Sequence, residues 1–183
     1  AIHELKMRSG VTDVVLFGLR FGALLSAAYA QRHPVSGLVL MAPIASGRAF
    51  VRELRALEVI NGGAASSDTG ERDTLGYHLS DDTRADLTRI DLTRLETAPA
   101  AHALVIGRDD LPAGEQPLVT ALQRVGVVVT STVTGDFADM VVAPHKALVP
   151  FQLWDEVVRW VQQVPLQEQP LSVFPAAKTA SVS

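Results

Sequence analysis

Cysteine is absent from the 183 residues, and with it go disulfides, thiolate zinc sites and thiol nucleophiles. A chain without cysteine fits a reducing compartment, so a cytoplasmic protein is expected. An excess of one charge sign is missing too. The 16 Lys and Arg against 20 Asp and Glu leave a formal net charge of −4, with the signs interspersed, so no basic face invites nucleic acid. Long apolar runs are also lacking: the most apolar window, Val14 to Ala30, has Arg20 at its middle and falls short of the ~18 clean apolar residues of a membrane span. No basic end followed by an apolar run marks a signal peptide. His3, His33, His78 and His102 show neither i, i+4 nor HExxH spacing, so neither a metal nor a cofactor is expected.

What is present is 48% apolar residues, enough to bury one sizeable core. The spacing predicts one domain over residues 1–164 and a mobile Pro, Gln, Ala and Ser-rich tail over 165–183. Its centre is Asp13 to Tyr29, where the apolar strand Val14–Phe17 meets Gly18 and a helix from about Phe21 to Gln31 follows Gly22. A second apolar strand, Gly37–Met41, completes a βαβ unit and implies a parallel sheet covered on both faces. Residues about 46–100 read as a helical cap insertion. It holds an amphipathic helix through Phe50, Val51, Leu54 and Leu57, whose outer face carries Arg48, Arg52 and Arg55. A loop follows from Asn61 to Gly70, then a second helix from about Asp82 to Arg89 with Ser80-Asp81 as its cap. His102–Gly107 is the third strand, Pro117–Arg124 a helix and Gly126–Val133 the fourth strand. A turn at 134–136 leads through Met140 to Pro144-His145, and an amphipathic helix runs from about Phe151 to Val164. The fold class is therefore α/β, a mainly parallel sheet with helices on both faces.

Ligands of open α/β sheets sit outside the carboxyl ends of the strands. Those ends carry Arg20 after the first strand, Asp109 and Asp110 after the third, and His145 beyond the fourth. Gly18-Leu19-Arg20-Phe21-Gly22 has the glycine frame of a G-x-S-x-G nucleophile elbow with arginine at the serine position. A guanidinium stays protonated and offers no lone pair, so Arg20 is not a nucleophile. It can bind an anion, with Leu19, Phe21 and Asp109 beside it, or pair with Asp109 or Asp110 and plug the site. Ser26 and Ser46 read as a helix-face residue and an N-cap, and Trp154 and Trp160 as packing residues.

The chain resembles the carboxyl-terminal two-thirds of an α/β-hydrolase. It is most similar to the hydrolase-like proteins of bacterial exosortase systems, on its match to a Gly-Leu-Arg-Leu-Gly-Ala type elbow and on Ala42-Pro43-Ile44-Ala45-Ser46-Gly47-Arg48. The match covers roughly Val11 to Val164, and the family's first strands have no counterpart ahead of Ala1, which implies an N-terminally incomplete domain. The resemblance implies that Asp110 is the triad acid and His145 the triad histidine, and nominally an ester or amide hydrolase. Without an elbow serine, the expectations are an inactive or anion-binding protein, a non-catalytic binding or assembly component of an envelope or exopolysaccharide pathway, or a hydrolase using another nucleophile. The expected partners are a small anionic, ester or amide molecule, with a homodimer or protein partner left open.

Overall fold

The computed structural model describes residues 2–60, 73–74, 77–135, 137–142 and 145–166. The loop expected over residues 61–70, and the expected tail beyond residue 166, lie outside the described residues. Helix α1 (Ile2–Ser9) buries none of its residues. Then come β1 (Val15–Leu19), α2 (Phe21–Arg32), β2 (Val35–Met41) and α3 (Gly47–Ile60). A two-stranded antiparallel ribbon, β3 (Asp73–Thr74) and β4 (Tyr77–His78), precedes α4 (Asp81–Thr88) and a 3₁₀ turn at Leu92–Arg94. The chain closes with β5 (Ala100–Arg108), α5 (Gln116–Arg124), β6 (Val128–Thr134), the short α6 (Phe137–Met140) and α7 (Phe151–Gln163).

Strands β1, β2, β5 and β6 form one four-stranded sheet in that order, every pairing parallel. Because successive strand residues point to opposite faces, β2 sends Leu38 and Leu40 into one core and Val39 and Met41 into the other. The first core is closed by Ala23, Leu24 and Ala27 of α2 and by Leu118 and Leu122 of α5. Phe137, Leu153, Val157 and Trp160 close the second from α6 and α7. Each large apolar side chain on the inner face of α7 contributes about 1.5–3 kcal/mol by leaving water. Trp160 also donates its indole N–H to Thr130 Oγ1 at 3.2 Å, which ties α7 to β6.

The differences from the expected elements are local. β1 runs two residues past Phe17, because its ladder with β2 continues to the Leu19–Met41 pair. α3 begins at Gly47, three residues before the first periodic apolar position, with Ser46 Oγ accepting from Ala49 N at 3.2 Å as the expected N-cap. Residues 137–140 form a helical turn where no periodicity announced one, since a four-residue segment is too short to show a period. The start of α3 packs against the end of α4 at Gly47, where a Cβ would lie 1.8 Å from Leu87 O. Ser46 and Asp91 bridge at the same place.

Candidate functional site

The strand-to-helix turn after β1 is sharp for two local reasons. A Cβ on Gly18 would lie 2.5 Å from the Ala23 backbone, so only glycine lets β1 and α2 cross this closely. Arg20 then takes φ 52°, ψ −114° to redirect the chain, a region that non-glycine residues occupy at a cost of about 1–3 kcal/mol. Its backbone is held on both sides, with Arg20 N donating to Met41 O at 2.9 Å and Arg20 O accepting from Ala23 N at 3.1 Å. Gly22 has no such role: a Cβ there meets nothing within 4 Å. Of the two elbow glycines read from the sequence, only Gly18 is sterically required.

Arg20 turns its guanidinium toward α3 and hydrogen-bonds the Glu53 carboxylate. This partner replaces the Asp109 or Asp110 expected from sequence. The same guanidinium lies 5.8 Å from the centre of the Phe137 ring, and Arg108 stacks on that ring at 4.3 Å. Arg108 in turn clamps Asp110, with Nε to Oδ1 at 2.7 Å. The Arg108 hydrogen bond is the first cause holding the Asp110 carboxyl below the usual carboxylate range, and the charge of Arg20 adds a smaller pull. Asp110 reciprocates by raising Arg108, to which Glu53 and Asp109 also contribute by charge. Asp109 Oδ1 accepts from Asp110 N at 3.0 Å, which shapes the exposed turn after β5.

The structure thus gathers Arg20, Glu53, Arg108, Asp110 and Phe137 into one ionic cluster at the carboxyl ends of β1 and β5. Leu19 and Phe21 flank it; Leu19 packs into the core shared with α7, and Phe21 stacks on Phe50 at 4.1 Å. His145 sits in an exposed turn, and among the described residues no hydrogen bond joins it to Asp110 or Arg20. Sequence reading missed Glu53, Arg108 and Phe137, which carry most of the cluster's contacts. Arg108-x-Asp110 spacing was the one local signal available. Glu115 was missed as well: it is buried beside Gly107, where a Cβ would lie 2.5 Å from its carboxyl carbon. No group of three or more His, Asp or Glu suited to a metal ion occurs among the described residues, and no described helix is long and apolar enough to cross a membrane.

A cleft of about 1340 Å³ runs elsewhere, along Tyr29 and Arg32 of α2 and Asp86 and Arg89 at α4, and none of Arg20, Asp110 or His145 lines it. Size and chemistry point to different places. The elbow is the better candidate, because charged side chains from the elbow, α3 and β5 converge there at the carboxyl ends of the strands.

No protein-family profile matches the chain, and no curated protein sequence does. Solved structures do share its architecture. The crystal structure of VinJ has a TM-score of 0.52 at 15% identity, with 89% of this chain and 70% of that chain covered. The carboxylesterase Cest-2923 from Lactobacillus plantarum WCFS1 gives 0.52 at 17%, covering 92% of this chain and 66% of that one. A lipase/esterase from Lactobacillus plantarum gives 0.50 at 15%, covering 88% and 60%. The chain therefore spans about two-thirds of these proteins' lengths. The likeness establishes the fold, a mainly parallel sheet of the α/β-hydrolase kind with esterase-like neighbours.

Proposed function

We propose that this is a non-hydrolytic protein on an α/β-hydrolase-like fold, in which the Arg20–Glu53 ion pair fills the elbow. The observation that carries the reading is Arg20 itself: it occupies the strained elbow conformation, and its side chain is engaged by Glu53 and Phe137. A permanently charged guanidinium offers no electron pair for acyl transfer. Two further observations support it. Asp110 is committed to Arg108, and His145 is exposed in a separate turn, so the acid and base of a triad are not in hydrogen-bonding contact.

The test is turnover of p-nitrophenyl acetate by the purified chain, expected to equal the buffer rate. Turnover above buffer that disappears in both Asp110→Asn and His145→Ala would overturn the proposal. A second reading is favoured by the stacking of two guanidiniums, Arg20 and Arg108, on one ring beside the amino end of α2, whose first N–H groups have no intrahelical acceptor. In it, a small carboxylate displaces Glu53 and binds Arg20. Acetate should then raise thermal stability, more strongly in Glu53→Gln, and Arg20→Ala should abolish the shift. The resemblance to exosortase-associated proteins supports a binding or assembly role in an envelope pathway, with residues 46–100 as its cap.

A further inference from the structure

Helices α3 and α4 enclose a second cleft of about 450 Å³, well away from the elbow in its chemistry. Arg48, Arg52 and Arg55 line it from α3 and Arg84 from α4; among the described residues the single carboxylate on its lining is Asp81. We propose that this cleft binds a small diphosphate-class anion through these four guanidiniums.

The spacing i, i+4, i+7 places Arg48, Arg52 and Arg55 on one face of α3. Like charges at that spacing destabilise a helix by a few tenths of a kcal/mol per pair. In a chain whose net charge is −4, concentrating four cations against one anion is a local cost. Among the described residues, Arg52 and Arg55 form no ion pair, and Arg48 is offset only by its charge interaction with Asp91. Arg84 is held differently. It is largely buried, lies 3.7 Å from Asp81 and donates to Leu79 O at 3.4 Å, so its guanidinium is fixed at the cleft edge. One anchored guanidinium beside three that form no close ion pair among the described residues suits an anion that offers several oxygens at once, because the planar fork of arginine matches phosphoryl geometry bidentately.

The remaining lining narrows the ligand. Val51 and Ala85 make a short apolar wall, and among the described residues no aromatic ring lines the cleft on which a base could stack. Recognition therefore falls on the anionic group itself. The volume suits a small molecule. This site is independent of the elbow reading: α3 turns Glu53 toward Arg20 and its arginines toward α4.

The test is calorimetric titration of the purified full chain with inorganic pyrophosphate at low ionic strength. Saturable binding is expected, weakened about tenfold or more in Arg52→Gln/Arg55→Gln, since loss of one charge-assisted contact is worth about a factor of ten. Arg159→Gln removes the same charge from an exposed position on α7 and should leave affinity within about twofold, as should Arg20→Ala. Circular dichroism checks that the double variant is folded; if it is not, the two single variants carry the test. Absence of saturable binding to the wild type overturns the proposal. So do equal affinity in the double variant, an equal loss in Arg159→Gln, which would mean unspecific charge attraction, and a loss confined to Arg20→Ala, which would place the anion at the elbow.

Discussion

Replacing Arg20 by alanine and by glycine separates the two things this residue does, hold a charge and bear a strained backbone. Both substitutions remove the ion pair with Glu53. The pair is only partly buried, with side-chain exposures of 22% for Arg20 and 42% for Glu53, so its loss costs about 0–1 kcal/mol. Loss of the contact with Phe137 at 5.8 Å adds about 0.5 kcal/mol. Alanine keeps the Cβ and therefore the penalty of φ 52°, ψ −114°. Glycine removes that penalty of about 1–3 kcal/mol and adds about 0.5–1 kcal/mol of chain entropy in the unfolded state. At the midpoints of both ranges the difference leaves Arg20→Gly more stable than Arg20→Ala by about 1 kcal/mol, or about 2–4 °C in Tm for a chain of this length. Urea and thermal unfolding followed by circular dichroism read both quantities. If Arg20→Ala is as stable as Arg20→Gly, the backbone at position 20 is not strained and the elbow geometry is wrong.

Other perturbations test the surrounding frame. Gly18→Ala should destabilise by about 1–3 kcal/mol, because its Cβ lands 2.5 Å from the Ala23 backbone, whereas Gly22→Ala has open space and should stabilise α2 by about 0.5–1 kcal/mol; paired urea titrations compare them. Thr130→Val strands the indole N–H of a buried Trp160 and should cost about 1–3 kcal/mol, read by tryptophan fluorescence in urea. Asp91 is held below the usual carboxylate range, first by the Thr93 hydroxyl at 2.6 Å. A lowered folded pKa gives stability that is complete above the unfolded value of about 3.9 and is lost as pH falls through the folded one. The stability gap between wild type and Thr93→Val should therefore be full above about pH 4 and narrow below it, as measured by urea midpoints at several pH values.

Much of the fold was legible because its elements carry strong local signals. The Val14–Phe17 run, Gly18 and the alanine-rich helix after it read as strand, turn and helix from composition, and the inner face of α7 from its period of 3.6. The site was less legible because its partners are distant in the chain. Glu53 is 33 residues from Arg20 and meets it only because α3 folds over the elbow. Phe137 lies in a helix too short to show a period. Chain order placed an elbow, an acid and a histidine in the sequence of a triad, yet order fixes no distance, and Asp110 is bonded to its near neighbour Arg108. The arginine face of α3 was visible as a stripe; the opposing Arg84 that turns the stripe into a cleft was not.

The elbow conformation does not depend on the residue that occupies it. Arg20 has no local reason to adopt φ 52°, ψ −114°: its N-cap position makes no side-chain cap hydrogen bond, and arginine has no preference for that region. What imposes it is the frame. β1 is locked to β2 through the Leu19–Met41 pair and by Arg20 N on Met41 O, while α2 must start within contact of Gly18 to bury Ala23, Leu24 and Ala27. Those buried contacts outweigh about 1–3 kcal/mol of strain at one residue. A strained elbow is thus a consequence of how strand and helix cross in this fold, and by itself it is no sign of catalysis. The chemistry must come from the side chain mounted there, and here that side chain is a cation paired with Glu53.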